Sequence, residues 1–396
     1  VANSLLTPTQ VLRKSLMILH GKLNFVGNIY RDYDKHFAKK GAKIGSNLTV
    51  RLPNEYVVTD GATLSTQDTT ENSVIVPVNN QKHVGMNFTT EELTLSLDDF
   101  AERIIEPAMA VLAASVESAA YGMYKDVYQI VDNDANAITF KNIMQARQKL
   151  NEALAPPSKR CLTLSNAHNV TIVDALKGLF HDDHAVTQQY REGKMGTTAG
   201  FDIYENTHVS DHQTGTAAKT TGYLVNGAAE SGATITVDTG TTTFLKGDII
   251  TIAGVNRVHP ETKVSTGALQ QFVITADSGA NATSLAISPS LTATGARQNV
   301  SNVPADNAAI VKVGAGASQL LNSSMAFCKE AFCLATADLV MPGGVDWSAR
   351  QVYDGIAMRI VRQYDINNDR LPCRVDILFG TKTLRPQLAT RIHADG

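Results

Sequence analysis

Residues 97–129 read LDDFAERIIEPAMAVLAASVESAAYGMYKDVYQ, and the fold turns on this stretch. Phe100, Ile104, Ala108, Val111, Ser115, Ala119 and Met123 recur three and four apart, which predicts a helix with one narrow face of small apolar residues. Asp98 or Asp99 caps its start, and Glu102 falls in the first turn, where acids are favoured. At ~1.5 Å per residue, residues 98–128 make a rod of roughly 45 Å. Pro107 lacks an N–H and its ring meets the carbonyl of Arg103, so it either bends the rod near its start or opens a second helix as its first residue. A long helix of small residues lets something flat pack closely across it. It reads as a spine and not as a catalytic wall.

Before the spine, residues 1–40 carry a helix capped by Thr7 or Thr9, with an apolar stripe of Val11, Leu12, Leu16, Leu19 and Leu23. Lys35, His36, Lys39 and Lys40 form a small basic patch after it. The stripe must be covered, so an arm lying on a neighbouring protein is expected. Residues 44–90 read as strands: Ile44, Leu48, Val50 and Leu52 share one side, and Val74, Val76, Val78, Val84, Met86 and Phe88 continue the alternation. Between them TDGATLSTQDTTENS is polar and carries a D-G pair. This is a long hairpin whose tip has no core of its own, and a two-stranded ribbon needs a surface to rest on. That points to an oligomer.

After the spine, Thr139 caps a helix over 141–154 in which Ile143, Ala146, Leu150 and Leu154 share a face, and Pro156 and Pro157 end it. Residues 161–165 read as a buried strand that passes through a capping Asn into a helix ending at Gly178 or soon after. Phe201 to Tyr204 is a short strand. From about 215 to 313 Thr, Gly, Ala and Val dominate, and ATITVDTG, FLKGDIITIAGV, QQFVITADSG and TSLAISPSL are the clearest strands. Their spacing fits a small antiparallel barrel of six strands inserted into a central α+β domain. Asp238, Asp248 and Asp277 read as solvated turn acids. SQLLNSSMAFCKEAFCLATADLV reads as an apolar helix or a strand–helix segment. Strands at about 356–364 and 372–379 follow, with their arginines and Asp376 available for pairs between subunits.

With 396 residues, of which 43% are hydrophobic, the chain is long enough for two or three domains. A formal net charge of -3 gives no general case for nucleic-acid binding. Cys161, Cys328, Cys333 and Cys373 lack metal-site spacing and read as buried free thiols in a reducing compartment. There is no signal-peptide pattern and no apolar run of membrane-spanning length, so a cytosolic, soluble subunit is expected. His181, Asp182, Asp183 and His184 offer nitrogen and oxygen ligands, but adjacent residues do not surround one ion without a special turn, and the HExxH spacing is absent. Gly193, Gly196 and Gly200 are turn residues and not a phosphate loop. No catalytic, cofactor-binding or metal residues are assigned.

LDDFAERIIEPAMAVLA (97–113), AGFDIYENTHVSDHQTGT (199–216), KGDIITIAGV (246–255), NSSMAFCKEAFCLATADL (322–339) and VRQYDINNDRLPCRVDILFGTKTLRPQLATRI (361–392) together resemble the major capsid proteins of tailed bacteriophages of the P22 coat-protein type. The end block, with Asp376, Gly380, Leu384, Arg385 and Pro386, is the most specific part. The resemblance implies an HK97-like α+β fold: an N-terminal arm over 1–40, an extended E-loop with adjoining strands over 41–96, and a peripheral domain with the spine helix over 97–154. The axial domain then runs over 155–221, an inserted β-barrel over 222–315, and the rest of the axial domain with the return strands of the peripheral domain over 316–396. It implies a structural protein of the virion, assembled in the host bacterial cytoplasm as hexamers and pentamers of an icosahedral shell. The shell would form as a procapsid with a scaffolding protein and a portal at one vertex, take a decoration protein as a further partner, and expand as double-stranded DNA enters. No enzyme activity, cofactor or membrane is implied. Hinges are expected near Gly41, Gly45 and Pro107, and the inner shell face is expected to be locally basic or neutral. Two rivals are a tail protein or surface adhesin built on the Thr/Gly-rich strands, and a metal-dependent hydrolase centred on His181–His184 and His168.

Overall fold

The computed structural model describes residues 15, 23–31, 47–59, 61–64, 66, 71–89, 106–176, 197–219, 222–314, 316–353 and 356–395. In chain order these give α1 (Phe25–Asn28), β1 (Asn47–Leu52), β2 (Asn72–Pro77), β3 (Asn80–Thr89) and α2 (Glu106–Tyr121). Then come β4 (Ile130–Ala137), α3 (Phe140–Glu152), β5 (Arg160–Leu164), α4 (Asn166–Leu176), β6 (Thr197–Thr198), β7 (Phe201–Glu205) and β8 (Asp211–Gln213). Six further strands follow: β9 (Leu224–Val225), β10 (Gly232–Asp238), β11 (Ile249–Val258), β12 (Ser265–Ile274), β13 (Ser284–Leu291) and β14 (Ile310–Lys312). The chain closes with β15 (Leu320–Cys328), β16 (Phe332–Ala337), β17 (Trp347–Tyr353), β18 (Ile356–Arg362), β19 (Arg370–Thr383) and β20 (Ala389–Asp395). Among the described residues no helix is long and apolar enough to cross a membrane.

The chain divides into two compact units, one of Val1–Leu52, Ser73–Tyr121 and Phe332–Leu384, the other of Pro53–Asn72, Gly122–Ala331 and Arg385–Gly396. The first unit is built around β19, which bonds to β18, β16 and β3, with β17 beyond β18. Its odd-numbered residues Cys373, Val375, Ile377 and Phe379 are all buried, as alternation on a sheet covered on one face requires. β1 and β2 pair with each other, and Val50, Val76 and Val78 pack with Cys333, Ala335, Ala337 and Leu384. The root of the predicted hairpin thus rests on its own chain. Glycine is required at position 380, because a Cβ there would lie 2.1 Å from the carbonyl oxygen of Pro77.

α2 is shorter than the predicted rod: its 16 residues span ~24 Å. A 3-10 turn over Gly122–Asp126 follows at once. Residues 97–105, and with them most of the expected bend at Pro107, lie outside the described residues. The face turned inward is also different. Met109, Leu112, Ala113, Val116, Glu117, Ala120 and Tyr121 are buried, whereas Val111 is 65% exposed and Ala108, Ser115 and Ala119 are half-buried. In a helix so rich in alanine two neighbouring faces have nearly the same apolar spacing, and a charged residue, Glu117, sits in the one that packs. Its carboxylate accepts the backbone N–H groups of Phe25 and, at 3.1 Å, Val26, which opens α1. Phe25 then stacks edge-on with Tyr121 and tilts against Phe332. Tyr30 donates to Phe332 O and accepts from Leu334 N–H, both at 3.1 Å. Residues 23–31 therefore pack on their own unit, whereas an arm lying on a neighbouring protein was expected; of the predicted stripe, Leu23 is buried here and the rest lies outside the described residues. The hinge positions Gly41 and Gly45 also lie outside.

The second unit holds a mixed seven-stranded sheet in the order β4-β20-β15-β5-β7-β6, with β8 beside β15. α3 starts as predicted, with Asn142 Oδ1 accepting from the Thr139 N–H at 2.8 Å and hydroxyl at 2.6 Å. Ile143, Ala146 and Leu150 are buried, but Leu154 lies past the helix end in a left-handed conformation and is exposed. The cap of α4 is Ser165, whose Oγ accepts from His168 N–H at 3.2 Å, and not the asparagine after it. The expected end of that helix at Gly178 lies outside the described residues. Residues 320–337, expected to contain a helix, are the two strands β15 and β16 joined by a 3-10 turn at Lys329–Ala331. Both are buried on both faces, so they show no alternation, and a continuous apolar run does not separate buried strand from buried helix. The remaining strands form an antiparallel sheet in the order β14-β11-β12-β13-β10-β9, and a bridge from Leu224 to Ala309 joins its two ends. Inside lie Tyr223, Ile235, Phe244, Ile252, Phe272 and Ile287, among others.

Gly380→Ala is expected to destabilise the first unit by about 1–3 kcal/mol or more through overpacking against a fixed backbone. Gly85→Ala, with open space around its Cβ position, is expected to be close to neutral. Urea denaturation of the two variants gives the comparison, and equal midpoints would remove the close-approach argument.

Candidate functional site

In the first unit, strand register places Arg350, Arg359, Asp376 and His83 in one row across β17, β18, β19 and β3. Asp376 is fully buried. Its Oδ2 accepts from Arg359 Nη2 at 2.6 Å and Nε at 3.3 Å, and its Oδ1 from Arg374 Nε. Asp338, also buried, takes Arg350 at 3.6 Å. The expectation that Asp376 and these arginines serve pairs between subunits is thus corrected: the carboxylate is consumed within the sheet. A buried carboxylate must be paired, and two flanking guanidiniums do this.

In the second unit a crevice of about 590 Å³ lies between α3, β4 and the strands β11, β12 and β14. Gln271 occupies its wall. Its side-chain oxygen accepts from Ile130 N–H at 3.0 Å and from Lys149 Nζ at 3.1 Å, and its nitrogen donates to Ile130 O at 3.2 Å. One amide side chain thereby replaces a strand neighbour at the outer edge of β4. Arg257 pairs with Glu152 alongside. Burial, then the charge of Arg257, lowers Lys149 to about 8. Burial, then the neighbouring Asp134, raises Asp132 to about 7. These groups bond to one another and present no nucleophile–base pair.

Deeper in the same unit, Asp248 is buried and accepts from Gly215 N–H at 3.0 Å, Leu245 N–H at 2.9 Å and His212 Nε2 at 3.1 Å. It is not the solvated turn acid expected. The motif KGD reads as an ordinary turn, and only the fold brings His212 to it. Asp277 Oδ1 accepts from Lys246 N–H at 2.6 Å, in keeping with a turn acid. His168, a candidate ligand in the hydrolase reading, is buried and held by Ser324 Oγ at 2.7 Å and Ala394 O at 3.3 Å. His181–His184 lie outside the described residues, as do Gly193 and Gly196. Among the described residues no group of three or more His, Cys, Asp or Glu side chains is placed to hold a metal. Cys161, Cys328, Cys333 and Cys373 are buried free thiols; burial pushes Cys161 up to about 12 and Cys373 up to about 11, which leaves both protonated.

The architecture, two units of mixed and antiparallel sheet built on one long strand and one alanine-rich helix, is that of HK97-like capsid proteins. A family model described as P22 coat protein, gene protein 5, matches residues 35–391, and the chain belongs to this family of structural coat proteins. A structure from Mycobacterium phage Che8 superposes with a TM-score of 0.50 at 11% identity, over 93% of this chain and 90% of that one. The capsid structure of the cyanophage P-SCSP1u gives 0.45 at 10% identity, over 94% and 92%. The CUS-3 coat protein I-domain is 33% identical over 24% of this chain and 96% of its own length, with a TM-score of 0.20. No curated protein matches the chain.

Asp376→Ala is expected to cost about 3–5 kcal/mol, because it strands the mostly buried Arg359. Arg374→Ala, whose side chain is 46% exposed, should cost less than about 1 kcal/mol. Trp347, the single tryptophan, lies on β17 of the same sheet, so urea denaturation followed by its fluorescence measures both. Similar costs for the two would contradict the assignment.

Proposed function

We propose that this chain is the major coat protein of a tailed bacteriophage and self-assembles, as hexamers and pentamers, into an icosahedral shell enclosing double-stranded DNA. Assembly proceeds through a procapsid with a scaffolding protein and a portal at one vertex, and the shell expands as DNA enters. The observation that carries this reading is membership of the P22 coat-protein family over residues 35–391. In this reading β1, β2 and the stretch between them are the E-loop, α2 is the spine helix, and residues 222–315 are an insertion domain. Val58 and Leu64, large apolar side chains at 85% and 86% exposure, support an intersubunit role for the loop. Shells built from many copies draw stability from weak contacts repeated by symmetry.

Deleting residues 59–72 is expected to leave a folded subunit, with unchanged circular dichroism, that no longer forms closed shells. Size-exclusion chromatography and negative-stain electron microscopy read the result. Closed particles of normal diameter from the deletion variant would overturn the role given to the loop.

A further inference from the structure

The imidazoles of His212 and His393 meet inside the second unit, while that of His168 lies on the opposite face of the same sheet, since the serines that hold His168 and His393 are adjacent on one strand. His168 of α4, His212 of β8 and His393 of β20 are 0%, 1% and 3% exposed. Adjacent serines of β15 hold two of them: Ser324 Oγ lies 2.7 Å from His168 Nδ1, and Ser323 Oγ lies 2.9 Å from His393 Nε2. His168 Nε2 faces only the carbonyl of Ala394, so it carries the proton and Nδ1 accepts from the serine. The rings of His393 and His212 are 5.4 Å apart, and the edge of His212 meets Tyr124. His212 in turn donates from Nε2 to Asp248.

This cluster is also the fastening of the turn that enters the six-stranded sheet. Asp248 gathers the N–H groups of Gly215 and Leu245, while Arg391, fully buried, donates to Gly247 O at 2.7 Å. Gly247 has a φ of +103°, and a Cβ there would lie 2.8 Å from His212 Cε1, so turn and imidazole are fitted to one another. The charges facing the cluster are Arg391, whose guanidinium lies over Tyr124, the buried Lys312, the buried Asp248, and, further out, Lys125, Asp211 and Asp395. Asp248 is the one buried acid among them, and its oxygens are already occupied. A proton added to His393 therefore enters a space already positive from Arg391, with a serine hydroxyl and another imidazole as its neighbours.

We infer that the His393–His212 pair is a proton-operated latch: it holds the 245–248 turn against β8 and β20 while both imidazoles are neutral and releases it when His393 takes up a proton. Burial lowers both below the ordinary histidine range, and the charge of Arg391 adds to this. In the released state they return towards about 6.5. The released state then binds more protons than the closed one, so closure is complete above about pH 7 and is lost as pH falls below about 6.5, by up to tenfold per pH unit for each proton taken up. Asp132 runs the other way: its raised value makes protonation favour the fold as pH falls. Global stability mixes the two, and a local measurement is needed.

Hydrogen exchange of the full chain, corrected for the intrinsic rate at each pH, provides it. Between pH 7.5 and 5.0, peptides covering 211–216 and 245–249 are expected to gain at least tenfold in opening, while 284–291 keeps its protection. His393→Gln should reduce that gain at least tenfold with little change at pH 7.5, and His83→Gln, on an exposed position of the first unit, should behave as wild type. If His393→Gln does not fold, His393→Asn serves the same comparison. Equal protection at the two pH values, simultaneous loss in 284–291, or a gain unaltered in the folded imidazole variants would each overturn the latch.

Discussion

The first unit depends on one strand being reachable from both sides. β19 is 14 residues long and bonds to β3, β16 and β18, so its backbone hydrogen bonds are satisfied along nearly all of its length. That density of neighbours leaves no room for a side chain where Pro77 crosses it, and glycine at 380 follows from the geometry. It also forces the side chains between the apolar positions onto a single face. Asp376, in the middle of that face, is fully enclosed and bonds to two arginines.

The second unit faces the same constraint in a different form. A closed six-stranded sheet has its own core, from Tyr223 to Ile310, and touches the rest of the unit through a small apolar contact of Ile249 and Val273 with Ile130 and through polar groups. Gln271 bonds to the backbone of Ile130, Arg257 to Glu152, Asp248 to His212, and Arg391 to Gly247. Polar groups buried at such a junction are costly unless each finds its partner, so they fix one placement better than an apolar surface would.

Much of this was legible from residue order. The strand pattern of 222–313, the helix capped by Thr139 and the alternation around β19 follow from local rules, because each such residue reports its own surroundings through period and turn chemistry. What was not legible depends on distant partners. Nothing near Glu117 in the sequence tells that α1, some 90 positions away, supplies two N–H groups to its carboxylate. Asp248 looked like a turn acid until β8 brought His212. β15 and β16 gave no period because both of their faces are covered. The cysteines were read correctly as buried thiols, since isolated cysteines without ligand spacing have few other places to be.

The amide of Gln271 has one more consequence. β4 is the last strand of its sheet, and an uncovered last strand is a template on which another chain can stack. By occupying the N–H and C=O of Ile130, Gln271 removes the first rung from that template. A second chain meeting this edge finds its first pair of backbone groups already taken, which disfavours stacking of one sheet on the next.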